Sequence, residues 1–448
     1  MIGTKINLKI SAKFASFKDL LKNANGKVAA SMAVMGLGQL MYKQWTKGVL
    51  YLLIQAVFIV YFVLKGAADI FGFFTLGSVV ANPWYGIEGD NSVIMLIMGV
   101  LAFIVCILYS IIYVSNIKDV YATQKYISEG NKPKSFMSEI SELFDKKFYC
   151  TALFLPVLGV AVFNILPIIF MILVSFTNYG GDIVPPRLVD WSGFDSFNKI
   201  FTLAQFAPTF FKILIWNIIW AVLTTGINYF GGLCLALLLN KKCVKGKAFW
   251  RVFPILAYAI PGFITLLGFK YLFSYGGPIN YYITEAGGTA IGFLGIDAKW
   301  TARFIGIGVN AWISIPSSML LASGILSNMN TDLYDAARID GANAFQQFVR
   351  LTLPFVIFAT TPVLITQFVG NFNNFGIFYF LRGGLNMNGY FLASDTDLLI
   401  NWLYNLSIEN NYYSIGAAVS LIIFIITSAI SLMVYVFSPS YRQEDTFK

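Results

Sequence analysis

The stretch Asp335-Ala336-Ala337-Arg338-Ile339-Asp340-Gly341, followed after nine intervening residues by Leu351-Thr352-Leu353-Pro354, decides how this chain is read. It is a charged island between two very apolar runs. Thr331 or Asp332 is placed to cap a short helix, and Gly341 to end it or turn the chain. Pro354 then stands where the next membrane helix would begin, a position that proline tolerates. Between two lipid-embedded runs, an ordered polar element of this kind has a partner to dock on.

Outward from that island the chain is 57% hydrophobic and 12% charged, with a mean hydropathy of +0.70. Such values belong to polytopic membrane proteins. Apolar runs long enough to cross a bilayer, about 20 residues each, fall near 47–64, 92–114, 150–177, 210–239, 252–274, 303–326, 355–380 and 413–436. The fold class expected is therefore an all-α polytopic membrane protein of about eight transmembrane helices. The glycine-rich stretch 67–81 reads as a re-entrant or interfacial piece. Residues 1–46 read as a cytosolic, basic, amphipathic segment, with Lys5, Lys9, Lys13, Lys18 and Lys22 spaced through an apolar pattern and no signal peptide.

With eight spans and both ends inside, 23 of the 31 Lys and Arg residues fall in cytosolic segments and five in external ones. Acidic residues divide evenly, as expected if positive charge alone sets orientation. The net charge of +9 is accordingly a topological bias and not a nucleic-acid surface. The basic patch Lys241, Lys242, Lys245, Lys247 and Arg251 reads the same way, facing an anionic leaflet. This orientation places the Asp335 segment in the cytosol.

Several chemistries are excluded. With no histidine, Ser–His and Cys–His catalysis and His-ligated metal sites are ruled out. Cys106, Cys150, Cys234 and Cys243 are scattered and form no CxxC pair, so neither a zinc site nor a disulfide framework is expected. Gly26-Lys27 and Gly246-Lys247 are followed by Val28 and Ala248, which lack the hydroxyl that a phosphate loop uses on Mg²⁺. If ATP drives this protein, it is hydrolysed elsewhere.

Polar residues inside spans are costly in lipid and face a bundle interior or a cavity. Gln367 and Asn371, four apart, share one helical face beside Asn373 and Asn374. Asn310, Ser314 and Ser317 share another, near Pro316. Tyr258 and Gly262 flank Pro261. These stripes contain amides, hydroxyls and aromatic rings without mid-depth charge, a chemistry suited to a polyhydroxyl solute. The same groups also serve simply as interhelical glue.

The spacing Asp335-Ala-Ala-x3-Gly341-x9-Leu351-x-Leu353-Pro354 resembles the EAA loop of ABC-importer permeases, with Asp335 in place of Glu and Leu351 in place of Ile. The resemblance implies a coupling helix seated on an ATPase subunit, with Asp335, Ala336, Ala337, Gly341, Leu353 and Pro354 as its carriers. Together with Tyr258-Ala259-Ile260-Pro261 and Asn371-Phe372-Asn373-Asn374-Phe375, it makes residues from roughly 150 to 437 similar to the larger permease subunit of maltose/maltodextrin-type ABC importers. That similarity implies the type I importer permease fold. It divides the chain into the 1–46 segment, a two-span region 47–148, a permease core 149–437 with its coupling loop 331–354, and a cytosolic tail 438–448. The family's sugar-contacting positions fall on Tyr258, Gly262, Asn310, Ile313, Ser314, Ser317, Gln367 and Asn371. Tyr258, Asn310 and Asn371 keep the family's residue type, whereas Gly262, Ser314, Ser317 and Gln367 depart from it. Segment 178–208 is too short for the folded external domain that some members carry.

What the resemblance implies of function is ATP-driven import of an oligosaccharide by alternating access. The implied partners are a second, MalG-like permease subunit, an ABC ATPase dimer holding ATP and Mg²⁺, and an extracytoplasmic sugar-binding protein. No cofactor is implied in this chain, which would be a transport subunit and not an enzyme, multi-pass in the cell membrane with cytosolic termini. A secondary transporter or channel would instead call for a mid-span carboxylate or an inverted repeat. A membrane enzyme would call for a catalytic cluster such as Asp395 with Asp397. The run Ser394-Asp395-Thr396-Asp397 reads better as a loop cap before Leu398.

Overall fold

The computed structural model describes residues 24–130, 136–145, 148–241, 243–438 and 441. The expected basic helix in the first 23 residues and most of the 438–448 tail lie outside the described residues. In chain order the helices are α1 (Gly26–Ala33), α2 (Leu37–Met41), α3 (Trp45–Thr75), α4 (Ser92–Ser128), α5 (Phe136–Phe144) and α6 (Thr151–Val174). They continue with α7 (Asp195–Thr202), α8 (Ala207–Asn240), α9 (Lys247–Ala259), α10 (Gly262–Leu272), α11 (Pro278–Glu285) and α12 (Lys299–Ser327). The last are α13 (Thr331–Ile339), α14 (Ala344–Gln347), α15 (Leu353–Phe372), α16 (Phe375–Arg382), α17 (Leu399–Tyr404) and α18 (Tyr413–Phe437). Among the described residues the only β pairing is an isolated bridge between Asn82 and Ile87.

Seven helices are long and apolar enough to cross a membrane, and an eighth crossing is supplied if α9 and α10 count as one broken span. The expected 252–274 span is thus present but bent by 90°. Ile260 and Pro261 are extended there, with ψ of 132° and 127°, because proline disfavours a helical residue before it. The stretch 67–81 is not re-entrant: its first nine residues complete α3, which runs on through a π turn at Phe62–Gly66. Phe71, Phe73 and Phe74 keep that helix apolar past the glycines that interrupt its hydropathy.

Chain packing divides the molecule into two compact units, Met1–Leu173 with Asp182–Trp191, and Val174–Gly181 with Ser192–Lys448. The division falls at the end of α6. In the first unit, α1 and α2 fold back on α4 around a buried polar cluster. Gln39 donates to Asn116 Oδ1 at 2.8 Å, Ser31 donates to Gln39 at 3.2 Å, and Lys47 pairs with Asp119 at 2.9 Å. Each polar group finds its partner here, the condition on which burial of such groups depends.

The second unit is built on the crossing of α8 with α12. Lipid tails are as apolar as leucine, so close backbone approach, not hydrophobic segregation, holds such helices together. Gly232 makes that approach: a Cβ there would overlap Ser318 and the Met319 backbone. Nearer the other end, fully buried Trp220 packs edge-on against Phe378, with ring centroids 4.9 Å apart. The segment Ala393–Leu399 is buried over these helices. Arg382 pairs with Asp395 at 2.6 Å, and Arg303 donates to the Asp395 carbonyl while its guanidinium lies 3.8 Å over Trp216.

Candidate functional site

Two groups of residues from the sequence reading come together in the second unit, one at mid-span and one in the polar segment 331–354.

At mid-span, α15 ends at Phe372 and the chain steps through Asn373 and Asn374 into α16. Asn374 caps α16 through its side chain and also donates to Asn310 Oδ1 of α12 at 3.3 Å. Asn371 donates to Thr225 of α8 at 3.0 Å, while its carbonyl accepts the Trp220 indole N–H at 3.1 Å. Gln367, one turn earlier, donates to Ser318 at 3.2 Å. Asn310 and Asn371 are 3% and 8% exposed. Among the described residues, Asn310 Nδ2 and Gln367 Oε1 are buried with no hydrogen-bond partner. An unpaired donor and an unpaired acceptor in a low-dielectric interior are costly. A hydroxyl can both donate and accept, so it is chemically matched to either group.

The remaining candidate residues stand differently. Ser317 donates to the Ser314 carbonyl within its own helix, and Ile313 packs partly buried beside Val309 and Leu266. Tyr258 is 55% exposed, on the last turn of α9, and Gly262 opens α10, so the 90° break lies between them. Among the described residues, neither is hydrogen-bonded to Asn310 or Gln367, whose side chains instead meet Asn374 and Ser318. Ser318, Thr225 and Asn217 were not singled out from the sequence. Asn217 joins α8 to both the Phe372 carbonyl (3.0 Å) and the Leu399 N–H (2.7 Å). Its signal was available, as an amide in the middle of an apolar run.

The 331–354 segment forms a helix, a turn and a second helix. Asn330, one residue earlier than expected, is the N-cap, its side chain accepting the Asp332 N–H at 2.9 Å. The first helix ends at Ile339 with Asp340 as its C-cap, and Gly341 has φ of +81°. Ala342 N–H bonds the Ala337 carbonyl and Gly341 N–H the Arg338 carbonyl, the paired closure that a left-handed residue makes possible. Asn343 and Gln346 then cap α14 reciprocally. Pro354 does not open a fresh helix. It is the second residue of α15, which winds back without a break through a π turn at Phe348–Thr352 into α14. Proline has no N–H for the turn before it, and the wider turn lies directly upstream.

On the outer side of this segment Asp335 pairs with Arg338 at 2.8 Å, both well exposed. Ile339 and Phe345 are 87% and 73% exposed. Ala336 is exposed and Ala337 half-buried. Inward, Tyr334 meets Thr352, and Leu353 packs beside Met319 and Val356. The segment thus has an anchored face and a bare one. Aspartates 395 and 397, weighed above as a catalytic pair, are engaged structurally: Asp395 with Arg382, and Asp397 with the Ser394 N–H and hydroxyl, both at 2.8 Å.

The family model of the binding-protein-dependent transport system inner membrane component matches residues 229–443. The galactooligosaccharides transport system permease protein GanP of Bacillus subtilis is 34% identical over 429 residues, 93% of this chain and 99% of that protein. The chain belongs to the binding-protein-dependent transport permeases. The maltodextrin transport system permease protein MalC of Streptococcus pneumoniae is likewise 34% identical to this permease, over 435 residues, 95% of this chain and 98% of MalC. MalF of Klebsiella aerogenes is 34% identical over 267 residues, 57% of this permease and 51% of MalF. Among solved structures, a bacterial ABC transporter involved in alginate import superposes with a TM-score of 0.55 at 20% identity, covering 67% of this permease and 98% of that chain. That likeness concerns the fold alone.

Proposed function

We propose that this permease carries a neutral oligosaccharide of the maltodextrin or galacto-oligosaccharide type across the cell membrane. The observation that carries this reading is that Asn310 and Gln367 each bury an amide atom without a hydrogen-bond partner, on helices whose other polar groups here are hydroxyls and amides. Tyr258 and Gly262, at the break between α9 and α10, Ile313 behind them, and Ser314, Ser317 and Asn371 complete the proposed sugar site. Relatives named for galactooligosaccharides and maltodextrin, matched over almost their whole length, support the substrate class. Seven long helices plus one broken span give an even number of crossings, which supports both termini being cytosolic.

In this reading an extracytoplasmic binding protein delivers the sugar and a second permease subunit completes the pathway. A separate ATPase dimer, binding ATP and Mg²⁺, docks on the 331–354 segment through Asp335, Ala336, Ala337 and the bare Ile339 and Phe345. Closure of that dimer would move α13, and the Tyr334–Thr352 contact passes the motion to the spans. Coupling of this kind is reciprocal: loaded binding protein raises ATP turnover as ATP drives sugar across.

The test is ATP hydrolysis and sugar uptake by the importer in lipid vesicles, with its binding protein, ATPase and second permease. Sugar-loaded binding protein stimulates hydrolysis, and Asn310→Ala with Gln367→Ala lowers uptake at least about tenfold, the size expected if roughly 1.4 kcal/mol of hydrogen bonding is lost. Uptake that is unaffected by both changes rules out this site.

A further inference from the structure

We infer that the permease holds the outer residues of a longer oligosaccharide in a second site, a cleft at the far end of α10, on the external side in the orientation proposed above. This inference rests on the oligosaccharide reading. The cleft has a volume of about 610 Å³ and is lined by Lys270, Tyr379, Asn386, Asn405, Glu409 and Asn410 together with the Gly383–Gly384 turn. Gly384 is left-handed, with φ of +84°, and neither of these two glycines places a side chain in the opening.

The chemistry of this wall is that of a saccharide groove. Tyr379 supplies an aromatic ring, fixed by stacking on Phe375 at 4.5 Å and by edge contact with Tyr404 at 5.5 Å. Three amides, one ammonium and one carboxylate surround it. Among the described residues, the side chains of Lys270 and Asn386 make no hydrogen bond or ion pair, and Lys270 and Glu409 do not pair with each other. Asn405 and Asn410, by contrast, donate to the carbonyls of Leu392 and Asn405, which fixes the wall while leaving their side-chain oxygens free to accept. A wall that mixes donors and acceptors around a ring matches hydroxyls flanking a pyranose face.

Position supports the same occupant. Lys270 lies eight residues beyond Gly262 on α10, about 12 Å at the helical rise. Tyr379 follows Asn374 by five residues on α16. The cleft therefore lies farther along the two helices that begin at Gly262 and beside Asn374, in the direction in which a chain of several hexoses bound at the inner site would extend.

The experiment compares uptake of a disaccharide and of a hexasaccharide, in both gluco- and galacto- series, by the complete importer in vesicles. The variant is Asn386→Ala with Glu409→Gln, two exposed residues, checked for assembly by its basal ATP hydrolysis. Hexasaccharide uptake is expected to fall about tenfold and disaccharide uptake less than about twofold. An equal fall for both lengths would mean that the cleft docks a protein, and no fall for either would mean that it binds nothing; either result overturns the inference. If the unaltered importer takes up neither sugar, the oligosaccharide reading itself fails and the cleft site fails with it.

Discussion

The hydroxyl of Tyr334 lies 2.8 Å from that of Thr352, and this contact fastens α13 to the π turn at the foot of α15. Thr352 is buried, so the bond sits behind the bare face that carries Ile339 and Phe345. Movement of that face has a direct route to the span bearing Gln367 and Asn371.

Replacing Tyr334 with Phe removes this bond while keeping the ring. The expected result is a fold that loses about 1 kcal/mol and an importer that still hydrolyses ATP but moves several-fold less sugar per ATP. The ratio of sugar taken up to phosphate released measures it. An unchanged ratio would assign the contact to stability alone.

Gly341 has open space where a Cβ would stand, so Gly341→Ala meets no clash and reports only backbone strain. A left-handed alanine costs about 1–2 kcal/mol, enough to weaken ATPase docking about tenfold if the turn orients α13. Asn tolerates this conformation better, and Gly341→Asn is expected to lie between the two. Affinity of the detergent-solubilised permease for its ATPase is the readout.

The pair Arg382–Asp395 is almost sealed from solvent, with side chains 1% and 8% exposed. Removing one partner of such a pair leaves a buried charge and costs about 3–5 kcal/mol. Asp395→Ala should therefore unfold at clearly lower temperature than the native protein. Because Arg382 also donates to the carbonyls of Leu294 and Gly295, the double change Arg382→Met with Asp395→Leu should recover only part of the loss. Thermal unfolding in detergent distinguishes the three.

Burial holds the Asp397 carboxyl up at about 6, against the hydrogen bonds from Ser394 that act to lower it. The folded protein thus binds this proton more tightly than the unfolded chain does. Its contribution favours folding fully below the ordinary carboxylate range and is lost as pH rises through about 6. Asp397→Asn, which still accepts from the Ser394 N–H, is expected to remove that slope. Unfolding temperature measured across this interval should fall more steeply with pH for the native chain than for the variant, reflecting a stability difference of about 3 kcal/mol over the whole range.

The spans were legible because lipid imposes one rule on every crossing segment: about 20 apolar residues wound so that each backbone group is satisfied. Where a helix bends or carries on past a glycine, that rule is silent. Hydropathy could therefore not separate the 90° break at Pro261 from a straight span, nor see that α3 passes through Gly66 and Gly72. The coupling segment was legible in its residue types but not in its caps, since Asn330 and Thr331 compete at neighbouring positions. Among the site residues, one-face spacing singled out Asn310, Gln367 and Asn371. Their partners Asn374, Ser318 and Thr225 lie 64, 49 and 146 residues away, and helix periodicity holds no information at that range. The same holds for Gln39 with Asn116 and for Arg382 with the carbonyls of 294–296.

The π turn at Phe348–Thr352 amounts to one residue too many in an otherwise ordinary helix. Each residue of an α-helix advances the chain by about 100°. Deleting one residue there would restore regular winding and rotate everything upstream by roughly that angle relative to α15. The bare face formed by Ile339 and Phe345 would swing about a quarter-turn while the spans stayed where they are. A single-codon deletion or insertion in this turn is thus a rotary adjustment between the 331–347 helices and the spans, and related permeases that differ in length here should differ in the direction in which this exposed face points.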